Sequence, residues 1–465
     1  MFGTTGLIVA AVMLTTEGPA IFASGSVAPA ESAMMEARGP SDDRAPLDVR
    51  ALLTSARGAP AMICSLASQA VRGFGWGDWS DAPSTPLAAA VSNRGDDFEG
   101  SGLSQADIEL LLEGLGSEDA CVRELSVRVL GRSRNESVAS GLIARLASSS
   151  APLREIAALG LGIVEPAAAV EPLLRALRDG VTGVRANSAW ALGRMEAGRA
   201  LSPLLELFRD SEAKVREAAV IAAGRIDSTI ATSALIRVIR QDDAASVRRA
   251  AAWALGKLEA REGVEALSGV LAQDRDPRVR EMAAWALGSI ESRGASAALA
   301  AAGRRDADDR VRETAVWAIA QVEDRAAVDA LSAIAGSDRS SRVRGTAAWA
   351  IGQLQRGGRA PAALFQVLRD DSEDTRLKAA WALGQIADSA GLPAIRTALR
   401  QEKSDRVRRG LIRALMKSGE RSVAALTDLL ESGDPQVREA AIRGLAGGRS
   451  PDPWPWPWPR PRPIP

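Results

Sequence analysis

Residues 276–288 read DPRVREMAAWALG, and close variants return as DDRVRETAVWAIA at 308–320 and SSRVRGTAAWAIG at 340–352. Aligning on the second Arg of the phrase gives Arg123, Arg154, Arg185, Arg216, Arg248, Arg280, Arg312, Arg344, Arg376, Arg408 and Arg438, spaced 30 to 32 residues apart. Eight residues after most of these sits a glycine, as at Gly131, Gly162, Gly193, Gly224, Gly256, Gly288, Gly352 and Gly384. Such regularity over some three hundred residues marks an array of structural repeats.

Each unit reads as two helices. The second starts at a cap four residues before its Arg: Asp119, Ser150, Asp276, Asp308, Ser340, Ser372, Ser404 and Asp434 offer side-chain oxygens to the free amides of a first turn. Pro277 and Pro435 follow their caps at the first helical position, where the missing N–H costs nothing. The first helix carries apolar residues at helical spacing, as in EGVEALSGVLAQD (262–274). Short loops force neighbouring helices to pack antiparallel, and a unit this small must stack on its neighbours to bury its apolar face. The expected fold is an all-α solenoid, a right-handed superhelix of about eleven helical hairpins.

The consensus D-x-x-x-x-V-R-x-x-A-x-x-A-L-G-x-I resembles the short HEAT-like repeat of phycobilisome-lyase-type and many bacterial HEAT proteins. Val279, Arg280, Ala283, Ala286, Leu287, Gly288 and Ile290 occupy its signature positions. The resemblance covers roughly residues 104–447 and implies a binding scaffold, since the family mostly supplies scaffolds. Some members are enzymes. Bilin lyases and HEAT-like DNA glycosylases form the alternative it implies, and deoxyhypusine hydroxylases use His-Glu iron sites that this chain, lacking His, cannot build.

Composition narrows the chemistry further. The chain has 465 residues, 58 basic and 58 acidic, which gives no reason to expect a nucleic-acid partner. With no histidine, Ser-His-Asp and Cys-His catalysis and His-ligated zinc are excluded. No cofactor is expected. An enzyme would need a site that breaks the repeat symmetry, and the only candidate is the loop holding Trp76, Asp78 and Trp79, which has no evident base–nucleophile pair. Two cysteines, Cys64 and Cys121, are too few for a disulfide framework. Cys121 falls on a helix face that suits a buried thiol; a single Cys64–Cys121 disulfide is the reading if the protein is exported.

Two repeated features look functional. Asp179, Asp210, Asp242, Asp274, Asp306, Asp338, Asp370 and Glu402 each lie six residues before an Arg of the phrase. Stacked repeats would set acids and arginines in parallel rows, read as a structural ladder tying each turn to its own and the next repeat. Five residues after the Arg comes tryptophan, at Trp190, Trp253, Trp285, Trp317, Trp349 and Trp381. With Val279 at zero and about 100° per residue, Trp285 lies near 240°, off the stripe formed by Val279, Ala283, Ala286, Leu287 and Ile290. The indoles are therefore expected on the concave inner face, flanked four residues on by Lys257, Gln321, Gln353 and Gln385. These ten residues form the predicted surface for a protein or peptide partner, Trp being common at binding hot spots. The competing reading is that each indole seals the joint with its neighbouring repeat.

The flanks divide as residues 1–28, 29–46, 47–103 and 448–465, around the array at 104–447. Gly6–Leu14 is an apolar stretch of signal-peptide length followed by the cleavage candidate Ser26-Val27-Ala28, but the first basic residue is Arg38. Export to a periplasmic or other extracytoplasmic compartment is the expectation, with a cytoplasmic location as the alternative. Residues 29–46 read as a linker, and 47–103 as capping helices with a Trp-containing loop. The tail PDPWPWPWPRPRPIP, with proline at every second position, is extended. Its Trp and Arg suit peripheral contact with an anionic membrane surface.

Overall fold

The computed structural model describes residues 49–58 and, apart from single positions, 103–419, with scattered positions from 427 to 446. The chain divides into two units, residues 1–46 and 47–465, of which the first lies outside the described residues. So do the leader-like segment, the linker, Cys64, the Trp76–Trp79 loop, the cap at Asp434 and the proline-rich tail.

Within the second unit the described residues form α-helices and short 3-10 turns with no strand. Helix α1 (Val49–Ala56) precedes a series of antiparallel pairs. These are α2 (Gln105–Gly114) with α3 (Ala120–Gly131), α4 (Glu136–Leu146) with α5 (Ala151–Val164), and α6 (Val170–Ala176) with α7 (Thr182–Arg194). The series continues as α8 (Leu201–Glu206) with α9 (Ala213–Arg225), α10 (Thr232–Gln241) with α11 (Ala245–Lys257), and α12 (Val264–Gln273) with α13 (Pro277–Ser289). It then runs through α14 (Ser296–Arg305) with α15 (Asp309–Val322), α16 (Val328–Ser337) with α17 (Ser341–Leu354), α18 (Ala362–Val367) with α19 (Glu373–Ile386), and α20 (Leu392–Gln401) with α21 (Asp405–Lys417). The architecture is an all-α solenoid of ten described pairs. The pair expected around Arg438 falls where only scattered positions are described.

Helix starts follow the predicted chemistry at five of the seven predicted caps that are described. Asp276 accepts from the Arg278 amide at 2.8 Å, Asp308 from Arg310 at 2.8 Å, and Asp119 from Cys121 at 2.8 Å. Ser372 and Ser404 cap through their hydroxyls, both at 3.4 Å. Ser150 and Ser340 stand at the expected N-caps without a side-chain cap bond. At the other end several second helices stop on a left-handed residue that is acidic where glycine is usual: Glu165, Glu196, Glu259, Glu291 and Glu323. After α7 and α11 the reversal is closed by paired bonds of Schellman type, Ala197 N–H to Leu192 O with Glu196 N–H to Gly193 O, and Ala260 N–H to Leu255 O with Glu259 N–H to Gly256 O.

One continuous core runs from Val49 to Ala441. Val49 and Leu53 of α1 are buried, and the Gly58 N–H donates to Asp119 Oδ2 at 2.8 Å, so α1 packs on the first pair. The second helices are buried on almost every side; in α11 every residue from Ala250 to Gly256 is buried. Alanine and glycine permit this, because a bulkier surface would hold neighbouring second helices apart.

The Arg ladder is the second tie between repeats. Arg280 donates Nε and Nη2 to Asp306 Oδ2 and Oδ1, both at 2.8 Å, and Nη1 to the backbone oxygen of Asp274 at 2.9 Å. Asp306 Oδ1 in turn accepts the Asp308 amide at 2.9 Å, setting the turn that leads into α15. The same fork joins Arg154 to Asp179, Arg185 to Asp210, Arg216 to Asp242, Arg248 to Asp274, Arg312 to Asp338 and Arg376 to Glu402, and Arg344 pairs with Asp370 through Nε at 2.6 Å. Each of these Arg thus holds its own turn through a carbonyl and the next repeat through a carboxylate, bidentate in all but the Arg344 pair. The Arg154 hydrogen bond lowers the Asp179 carboxyl below its ordinary value. Burial pushes Asp210, Asp274 and Glu402 up, but bonds from Arg185, Arg248 and Arg376 and from nearby backbone amides outweigh it, and all three are lowered.

Cys121 is disulfide-bonded, which corrects the buried-thiol reading. The chain's other cysteine is Cys64.

Candidate binding face

The stripe of each second helix that lies off its own first helix is formed by positions one, five and nine after the ladder Arg, on one line at i, i+4, i+8. In α7 it holds Ala186, Trp190 and Arg194; in α13, Glu281, Trp285 and Ser289; in α15, Glu313, Trp317 and Gln321. The indoles do not form the uniformly open ladder expected of them. Trp253, Trp349 and Trp381 are buried, at 6%, 1% and 3% exposure, while Trp190, Trp285 and Trp317 are partly exposed. Lys257 is exposed, and Gln321, Gln353 and Gln385 are partly exposed.

Glycines of the preceding repeat lie against most of the indoles. A Cβ added at Gly256 would stand 2.9 Å from Cζ3 of Trp285, and one at Gly224, Gly288 or Gly352 would stand 3.0 Å from Cζ3 of Trp253, Trp317 or Trp381. Gly162 meets Trp190 in the same way, at 2.4 Å. At five of the six positions the glycine of one repeat is therefore the slot for the indole of the next, whereas Trp349 follows Ala320. Trp349 and Trp381 also stack on each other, with centroids 6.5 Å apart and planes 20° from parallel. The helical wheel sets the indoles off the stripe expected to meet their own first helix. It carried no information on how closely the next second helix approaches, and that approach covers them.

The two arginines that precede Lys257 at the same repeat position, Arg194 and Arg225, are partly neutralised or buried. Arg194 pairs with Glu165 and lies over the Trp190 ring at 5.4 Å from its centroid. Arg225 is partly buried, and desolvation lowers its pKa.

Between these residues runs a half-buried polar row. Glu313 Oε2 pairs with Arg342 Nε at 2.7 Å, and its Oε1 accepts from Thr346 Oγ1 at 3.3 Å. Lys378, buried, pairs with Asp374 at 2.9 Å. Nδ2 of Asn187 donates to the Glu155 carbonyl at 2.9 Å, and Thr375 Oγ1 to the Ser341 carbonyl at 2.8 Å. Burial pushes Glu281 up to about 7, against the attraction of Arg310, and it raises Glu155 and Glu313 as well. In the first repeat burial likewise takes Glu124 up to about 7, against Arg128 and Arg123. The sequence signal was the recurrent Glu directly after the ladder Arg; its burial depends on the neighbouring repeat and was not legible. Among the described residues no group of three or more His, Cys, Asp or Glu could hold a metal ion. What the face offers is indole edges, amides and half-buried charges for surface contact.

The HEAT-repeat family matches residues 108–186, 170–255, 232–320, 296–364 and 361–446. No curated protein matches the sequence. Among solved structures the chain is similar to an engineered protein, at 20% identity over 73% of this chain and 98% of that one, with a TM-score of 0.40. It is similar to human deoxyhypusine hydroxylase in complex with glycerol, at 20% identity over 54% of this chain and 96% of that one, TM-score 0.26. It also resembles Kap95p from a structure with RanGDP, at 14% identity over 85% of this chain and 57% of that one, TM-score 0.49.

Proposed function

The chain belongs to the HEAT-repeat family, and from that premise we propose that it is a non-enzymatic scaffold whose second-helix face binds a protein or peptide partner. The observation that carries this reading is the accessible part of the stripe. Half-exposed Trp190, Trp285 and Trp317 stand in line with Lys257, Gln321, Gln353 and Gln385, giving amphipathic contact area and hydrogen-bonding groups on a rigid backbone. Trp253, Trp349 and Trp381 support the face from below instead of touching the partner. An oxidising, extracytoplasmic location fits the disulfide at Cys121.

A photo-crosslinker placed at Gln321 or Gln353, with a matched one at Glu265 on a first helix, tests the assignment in the source cells. The expected result is one discrete adduct from the second-helix positions, absent from Glu265 and weakened by Gln321→Glu/Gln353→Glu/Gln385→Glu. Equal adducts from both faces would remove the reading.

A further inference from the structure

Repeat symmetry supplies an internal control for surface chemistry, since equivalent grooves are built from equivalent positions. The turn ends of the first helices enclose open grooves along the edge that carries the Arg ladder. One lies between α10 and α12 and contains Arg240, Asp243, Glu265 and Arg275 beside the ladder groups. Its charges balance, and Arg240 is held by Glu265 at 3.2 Å.

The same groove recurs 64 residues later, between α14 and α16, with a space of 580 Å³. Arg240 and Arg275 reappear as Arg304 and Arg339, but Gln241 has become Arg305 and Asp243 has become Ala307. Glu265 is replaced by Asp329, one methylene shorter, and neither Arg304 nor Arg305 has an ion-pair partner among the described residues. The groove's own acids are engaged by the ladder, Asp306 with Arg280 and Asp338 with Arg312, both at 2.8 Å. Three guanidinium groups therefore border one opening without a free carboxylate. Arg339 is fixed across it by an Nη2 hydrogen bond to the Ala307 carbonyl, over a floor of Ala333 and Ile334.

The helix dipole explains one cation in the last turn of α14. Helix α10 meets that need with Arg240 alone, so the dipole does not account for Arg305 or for the loss of Asp243. We propose that the groove between α14 and α16 binds an acidic peptide segment of a partner protein. Its carboxylates engage Arg304, Arg305 and Arg339, and small side chains rest on Ala333 and Ile334. Guanidinium–carboxylate forks are the chemistry this chain already uses in every ladder rung. A nucleic acid would want a continuous basic strip, and the equivalent groove two repeats earlier is neutral. The site lies on the turn edge, so it stands whether or not the indole-bearing face binds anything.

The test is fluorescence anisotropy on the full chain with a labelled peptide of alternating Glu and Ala, its Gln–Ala analogue as control. Salt-dependent binding of the acidic peptide alone is expected. It should weaken at least about tenfold, the equivalent of losing one charge-assisted contact, in Arg304→Gln/Arg305→Gln and separately in Ala307→Asp. Arg240→Gln/Arg275→Gln should leave it unchanged. No binding by the native chain, or equal weakening by both double variants, would overturn the proposal. So would complete displacement by equimolar inorganic phosphate, or tighter binding of a single-stranded oligonucleotide.

Discussion

Replacing Gly193 by alanine should destabilise the protein, and the same change at Gly384 should not. Both glycines sit inside a second helix, eight residues after the ladder Arg. Intrinsic propensity favours alanine at either site by about 1 kcal/mol. At Gly193 the new Cβ would stand 2.5 Å from Cα and 2.6 Å from Cβ of Ala222 in α9. Carbon atoms in contact prefer about 3.5–4.0 Å, so α7 and α9 must part by roughly 1 Å. The obstructing atoms are backbone and Cβ, which cannot swing aside as a side-chain end could. Overpacking of this kind costs about 1–3 kcal/mol, and more where backbones separate. After the propensity gain a net loss of about 1–2 kcal/mol remains. At Gly384 the nearest atom is Ala414 Cα at 3.4 Å, an ordinary contact, so the gain of up to about 1 kcal/mol survives. Ala320 natively occupies the equivalent place in α15, so local spacing and not the repeat as such demands glycine. Guanidinium titration followed by helical circular dichroism, with hydrogen exchange read separately over α7–α9 and α19–α21, measures both variants. The separate reading matters because a repeat array need not unfold in one step. A Gly193→Ala protein as stable as the parent, or two variants shifting the same way, would refute the account of close second-helix packing.

Arg312→Gln should cost about 3–5 kcal/mol, because it strands the buried Asp338 carboxylate; hydrogen exchange should localise the damage to α15–α17. Trp349→Ala should cost about 3–5 kcal/mol and Trp190→Ala distinctly less, following their burial; equal denaturation midpoints would contradict that difference in burial. Glu281 titrates at about 7 in the fold against an ordinary 4.5, so the stability linked to it is present below about 4.5 and lost as pH rises through 7. Because the group is partly open to solvent, Glu281→Gln should gain only about 1–2 kcal/mol at pH 8. It should also flatten the fall in urea midpoint between pH 4.5 and 8, and an unchanged slope would exclude the raised carboxyl as its source.

The sequence by itself determined whatever depends on spacing within one repeat or on strict recurrence between repeats. The period, the start of α13 at Asp276 and Pro277, and the pairing of Arg280 with the acid of the next turn all follow from fixed offsets. A local backbone rule or a simple translation converts those offsets into contacts. Tertiary structure decided how near one second helix comes to the next, and with it the fate of the indoles. Trp349 and Trp190 occupy the same place in the repeat, yet one is buried and the other half open. The disulfide at Cys121 and the uncompensated groove at Arg304, Arg305 and Arg339 belong to the same class, since each depends on what stands opposite in space. A helical wheel fixes the direction of a side chain to within some tens of degrees. Burial turns on separations of about an ångström between surfaces remote in sequence, and those emerge only when all the repeats have packed.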